Sequence, residues 1–215
     1  MDKSKITTYL FDFDGTLVDS MPTYVSIMLR ILDENEVKYD DSIIKTITPL
    51  GYKGTAEYYR SLGVSLSVND MIGLMKRYAE VSYRYHIVDK EGVKDTLVAL
   101  KDKFSLNILT ASPHSLLDPC LKRLNLWELF DNIWSCDDFN TTKTDPQIYQ
   151  MIADRLDVTV DNIAFVDDNI DAVKTAKKAG ITTYGIYDKS SHEFIEEMKR
   201  ESDYYIMTFD MLLEA

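Results

Sequence analysis

Ile6-Thr7-Thr8-Tyr9-Leu10-Phe11-Asp12-Phe13-Asp14-Gly15-Thr16 joins a β-branched and aromatic run directly to two carboxylates and a glycine. A short unbroken run of this kind predicts a strand. Asp and Gly favour turns, so that strand is expected to end where the carboxylates begin. Outward from this stretch, similar runs recur at 106–109, 163–166 and 182–186, and helical periodicity fills 93–103, 116–124, 146–156 and 172–179. Strand-like runs alternating with helical ones predict an α/β fold, a doubly wound parallel sheet with helices on both faces.

Residues 21–86 break this alternation. Helical periodicity covers 24–32, 56–62 and 71–83 with no buried-strand pattern, which predicts a helical insertion after the first strand. Gly51-Tyr52-Lys53-Gly54 interrupts it, and its two glycines predict a mobile or tightly turned loop. Lys53 is an exposed lysine in that loop and a candidate substrate contact.

The chain has 215 residues, 45% of them apolar, enough for one sizeable domain or a core domain with a smaller insertion. Its formal net charge of −12 argues against nucleic-acid or anionic-membrane partners, whose affinity comes from clustered Lys and Arg. Cys120 and Cys136 show neither metal-type spacing nor a disulfide framework and are expected as free thiols in a reducing compartment. No apolar run reaches the roughly 20 residues that span a bilayer, and no signal-peptide core is evident, so a cytoplasmic chain is expected. His86, His114 and His192 are scattered, expected at surface or loop positions, and form no transition-metal set.

Doubly wound sheets bind ligands beyond the carboxyl ends of their strands. There the sequence places Asp12 and Asp14, then Thr110-Ala111-Ser112, then Asp167-Asp168-Asn169, with Lys143 in the connection before the 146–156 helix. Two carboxylates about 4 Å apart repel by roughly 4 kcal/mol at an effective dielectric near 20, so converging acids call for a cation. An all-oxygen, carboxylate-rich set suits Mg²⁺, with Lys143 supplying further positive charge. Such a site fits phosphoryl transfer, in which the protein positions a nucleophile and neutralises spread-out charge. Asp12 is the candidate nucleophile, Asp14 the candidate acid and base, and Thr110 a candidate grip on the phosphoryl oxygens.

Asp12-Phe13-Asp14-Gly15-Thr16-Leu17-Val18-Asp19-Ser20 resembles the first motif of the haloacid dehalogenase-like superfamily in its phosphatase form. Thr110-Ala111-Ser112 is similar to the second motif, Lys143 in Lys143-Thr144-Asp145-Pro146 to the third, and Phe165-Val166-Asp167-Asp168-Asn169 with Ala179-Gly180 to the fourth, so the whole chain is covered. The phosphoglycolate phosphatase and β-phosphoglucomutase-like members look closest.

The resemblance implies a Rossmann-like core from residues 1–18 and 89–215, with a small α-helical cap inserted at 19–88. It also implies magnesium and an aspartyl-phosphate intermediate. By that resemblance Asp12 is the nucleophile, and Asp14 is acid and base and offers its main-chain carbonyl to the metal. Thr16, Thr110, Ala111 and Lys143 are placed at the phosphate. Asp168 becomes the principal further metal ligand, and Asp167 either shares that duty or supports it from behind. Thr144 stands where many relatives have proline and Asp167 where many have glycine. The Ala179-Gly180 spacing favours Asp168 over an alternative set of Asp167 with Asp171.

The implied function is a phosphatase acting on a small phosphorylated metabolite, phosphoglycolate-like or sugar-phosphate-like, by a monomer or weak dimer. A phosphomutase using the same parts, or a non-catalytic regulatory module on the same fold, stays open. A dehalogenase is disfavoured because Asp14 is present.

Overall fold

The computed structural model describes residues 5–214. Six parallel strands form one sheet: β1 (Thr8–Phe11), β2 (Ser105–Thr110), β3 (Asn132–Ser135), β4 (Ile163–Asp167), β5 (Thr182–Ile186) and β6 (Tyr204–Ile206). Their spatial order is β3-β2-β1-β4-β5-β6, and every neighbouring pair is parallel. The helices that cross between them are α5 (Val93–Lys101), α6 (His114–Leu124), α7 (Gln147–Leu156), α8 (Ile170–Lys178) and α9 (Ile195–Glu201). This is the doubly wound α/β architecture, and β1 is the strand at which the order reverses.

β1 shows why both sheet faces must be covered, since successive side chains point to opposite faces. Tyr9 and Phe11 share one face, stacked at 5.6 Å, and meet the rings of Tyr184 and Phe209. Leu10 packs on the other side with Leu109, Ile152 and Phe165. β1, β4 and β5 are buried along their whole length. β3 and β6 lie at the edges and are only partly buried, so their sequences Asn-Ile-Trp-Ser and Tyr-Tyr-Ile lack the apolar runs that mark the central strands.

The chain separates into two compact units. One holds the sheet, runs to Asp19 and resumes at Val88; the other is Ser20–Ile87. The second unit contains α1 (Met21–Glu34), α2 (Ser42–Ile47), α3 (Gly51–Ser61) and α4 (Val68–Tyr85). Among the described residues no helix is long and apolar enough to cross a membrane.

Gly51-Tyr52-Lys53-Gly54 is not the loop expected from its glycines: it forms the first turn of α3. Gly51 takes φ +63° where the preceding turn ends. At Gly54 a Cβ would come 2.9 Å from the Leu50 Cβ, so close packing accounts for the second glycine. Packing then offsets the helix penalty of about 1 kcal/mol for an interior glycine. Thr55, Ala56 and Tyr59 are buried, Tyr59 Oη donates to the Met28 carbonyl at 3.1 Å, and Tyr52 stacks on Tyr24 at 5.4 Å.

Candidate functional site

Asp12 is the first residue beyond β1, and its N–H still donates to the Val166 carbonyl at 2.9 Å, which fixes its backbone against β4. The chain then turns tightly. The Gly15 N–H donates to the Val18 carbonyl at 3.0 Å and the Leu17 N–H to the Phe13 carbonyl at 2.9 Å. Gly15 has φ +79°, and a Cβ there would lie 2.6 Å from Asp168 Oδ2. Glycine is therefore required twice over, by a left-handed backbone and by the Asp168 carboxylate beside it.

β4 delivers Asp167 at its last residue and Asp168 just after. One carboxylate oxygen each from Asp12, Asp167 and Asp168 lies within 4.8 Å of the others, and all three residues are buried. Lys143 Nζ donates to Asp12 Oδ1 at 2.6 Å and to Asp167 Oδ2 at 2.7 Å. Asp167 Oδ1 accepts from the Asn169 N–H at 2.7 Å, so both Asp167 oxygens are engaged. Thr16 Oγ1 donates to Asp168 Oδ1 at 3.3 Å. Tyr149 Oη donates to the carbonyls of Lys143 and Ala172 at 3.0 and 3.1 Å, which ties the lysine loop to α8.

Three buried carboxylates face one ammonium. Burial pushes the Asp12 carboxyl up to about 7; Lys143 pulls against this while Asp167 and Asp14 add to it. Asp168 is driven well above the carboxylate range, first by burial and then by the charges of Asp167 and Asp12. For Lys143 burial acts downward, but the Asp12 and Asp167 charges and hydrogen bonds outweigh it and hold the ammonium well above its ordinary value. The cluster is short of positive charge, and its hard, all-oxygen donor set fits a divalent cation such as Mg²⁺.

Asp14 stands apart from this group. Its half-buried carboxylate accepts from Ser112 Oγ at 2.5 Å. Thr110 is buried at the end of β2, its Oγ1 accepting the Ser112 N–H at 3.0 Å, and Ala111 is exposed. The structure thus brings Asp12, Thr16, Lys143, Asp167 and Asp168 into one linked network, and Ser112 links Asp14 to Thr110. Asp171, exposed in the first turn of α8, is outside the carboxylate group.

Lys53 belongs to the other unit; its side chain is 79% exposed and 4.0 Å from Glu57. His114, the first residue of α6, is at the surface with its side chain 40% exposed, and its ring nitrogens face Asp118 at 2.8 Å and Asp138 at 2.9 Å. Lys90 and Asp188, a partly buried ion pair at 2.7 Å, lie outside every motif read from the sequence, and Ser112 had no role of its own there. Ser112 lay inside a quoted motif. Lys90 and Asp188 lie 98 positions apart with nothing local to pair them.

The profile of the haloacid dehalogenase-like hydrolases matches residues 9–186, the span from β1 through β5. The chain belongs to this family. Curated relatives of this hydrolase are named as phosphatases. The phosphorylated carbohydrates phosphatase of Thermotoga maritima is 28% identical over 183 residues, covering 82% of this chain and 83% of that protein. Pyrophosphatase PpaX of Bacillus velezensis is 27% identical over 188 residues, covering 86% and 85%. Among solved structures, a predicted phosphoglycolate phosphatase from Haemophilus somnus superposes with a TM-score of 0.84 at 20% identity, covering 98% of this chain and 97% of that one. The last likeness shows the fold.

Proposed function

We propose that this haloacid dehalogenase-like hydrolase is a Mg²⁺-dependent phosphatase that transfers the phosphoryl group of a small phosphorylated metabolite to Asp12 and then to water. The observation that carries this reading is Lys143 bridging Asp12 and Asp167 inside a buried, carboxylate-rich cluster, with a separate carboxylate, Asp14, held by Ser112. Asp12, Asp168 and the main-chain carbonyl of Asp14 would hold Mg²⁺, which supplies Lewis-acid stabilisation of the phosphoryl oxygens. Asp168 is preferred over Asp167 because both Asp167 oxygens are already engaged.

The Asp12 carboxylate attacks phosphorus, a new P–O bond forms, and the bond to the leaving oxygen breaks as Asp14 gives that oxygen a proton. The carboxylate loses its charge in becoming an acyl phosphate, so Lys143 then faces the phosphoryl oxygens in its place. Asp14, now ionised, takes a proton from water. The water oxygen attacks phosphorus, the P–O bond to Asp12 breaks, and phosphate leaves. Thr16, Thr110 and Ala111 complete the phosphate surroundings. Residues 19–88 act as a cap that excludes bulk water and selects the leaving group, with Lys53 contributing to that selection.

The substrate class is phosphoglycolate-like or sugar-phosphate-like. Phosphate release is measured from a generic aryl phosphate and a panel of such metabolites, with and without Mg²⁺. Mg²⁺-dependent release supports the reading. Full turnover in chelator, or no release from any ester with Mg²⁺ present, overturns it.

A further inference from the structure

Lys90 lies in the sheet unit shortly after the junction at Val88 and is absent from every motif of the site. Its Nζ donates to the main-chain carbonyl of Gly15 and, at 3.3 Å, to that of Tyr187, and it pairs with Asp188 Oδ2 at 2.7 Å. The two side chains are 19% and 6% exposed, so the pair is largely removed from solvent, as Lys143 is at 12%. Asp188 is itself fixed, because Oδ1 accepts both the Ser190 N–H at 2.8 Å and Ser190 Oγ at 2.5 Å. Backbone bonds reinforce the join: the Lys90 N–H donates to the Leu17 carbonyl at 3.0 Å, the Asp19 N–H donates to the Val88 carbonyl at 3.0 Å, and Val18 bridges Asp89.

One ammonium therefore holds three segments: the turn after β1, the residues after β5 and the connection that returns from the Ser20–Ile87 unit. The turn it holds carries Asp14 and runs beside the Asp168 carboxylate, so close that a Cβ at Gly15 would come 2.6 Å from Asp168 Oδ2. Asp188, whose charge adds to the repulsion felt by Asp168, is paired directly with Lys90. We propose that Lys90 is a positioning residue of the phosphoryl-transfer site, its ammonium fixing the Gly15 carbonyl against Asp188 and so setting the Asp14 and Asp168 geometry. This rests on the reading of Asp12, Asp14 and Asp168 given above.

A cavity of about 350 Å³, open to solvent, lies beside Lys90 and Asp188 and is lined also by Asp19, Asp89, Tyr187 and Phe209. A small alkylammonium can therefore reach the place that a shortened side chain vacates. In the full chain, Lys90→Ala is expected to lower kcat for a small generic ester about tenfold to a hundredfold, the scale on which groups that orient metal ligands act, with KM changed much less. Without substrate, the Mg²⁺ concentration giving half the maximal Mg²⁺-induced rise in melting temperature should increase in the same variant.

n-Propylammonium, which replaces the Cγ-to-Nζ portion, is expected to restore kcat, whereas tetramethylammonium at equal ionic strength is not. Wild-type kcat and Mg²⁺ response in Lys90→Ala, or a loss that propylammonium leaves untouched, overturns the assignment. Should Lys90→Ala not fold, Asp188→Asn reads the same contact: a fall in kcat and in Mg²⁺ response supports it and wild-type values of both overturn it. A wild-type chain that hydrolyses no ester but still melts higher in Mg²⁺ overturns the phosphatase reading alone, because the Mg²⁺ titration of Lys90→Ala still tests the positioning role.

Discussion

Replacing Lys143 by methionine removes the ammonium that touches two buried carboxylates while keeping most of the side chain's bulk. At 2.6 and 2.7 Å, each contact corresponds to about 6 kcal/mol of attraction at an effective dielectric near 20. Burying the ammonium offsets much of this, and removing one partner of a buried pair costs about 3–5 kcal/mol net. In a domain of this size about 2–4 °C of melting temperature accompany each kcal/mol, so the midpoint in chelator should fall by roughly 6–20 °C at alkaline pH.

The pH dependence has a definite sign. Asp12 is already pushed up to about 7 from 3.8, mainly by burial, and without Lys143 it must rise further. A carboxylate with a raised folded-state pKa makes the fold bind more protons than the unfolded chain, so stability is present at low pH and lost as pH rises through that window. The Lys143→Met deficit should therefore be small near pH 5 and large near pH 8 in thermal melts followed by circular dichroism. Equal midpoints for the variant and the wild type at both pH values would refute the charge-compensation argument.

Other substitutions separate chemistry from stability. Asp12→Asn should lower turnover at least about a thousandfold. In metal-free buffer its melting temperature should at least equal the wild-type value, because one buried charge is gone and Lys143 still meets Asp167; steady-state rates and melts check both. Gly15→Ala must accommodate φ +79° and a methyl 2.6 Å from Asp168 Oδ2, so it should destabilise the fold by about 1–3 kcal/mol and weaken the Mg²⁺-induced thermal shift. Lys53→Ala should reorder rates across phosphorylated metabolites more than it alters hydrolysis of a generic ester; a uniform change would place the lysine at the phosphate, and no change would leave it a solvated surface charge.

The central strands were legible because burial on both faces demands apolar runs, and the acids that end them follow directly in sequence. β3 and β6 were not read because an edge strand needs less apolar sequence. The Gly51–Gly54 turn misled because glycine's weak helix propensity was outweighed by the packing of Thr55, Ala56 and Tyr59, which no local window contains. At the site, the convergence of Asp12, Lys143 and the Asp167-Asp168 pair could be read from their order along the chain. The pairing of Lys90 with Asp188 could not, since nothing local in the sequence marks either residue until the sheet brings three distant segments together.

The claim that Asp12 carries the phosphoryl group is tested most directly by trapping the acyl phosphate. The full chain is mixed with a phosphate ester and Mg²⁺, quenched during turnover and reduced with borohydride, which converts an aspartyl phosphate to homoserine. Peptide mass spectrometry should then find homoserine at position 12, only when ester and metal are both present. Turnover with unmodified Asp12, or homoserine at position 14 instead, would contradict the account.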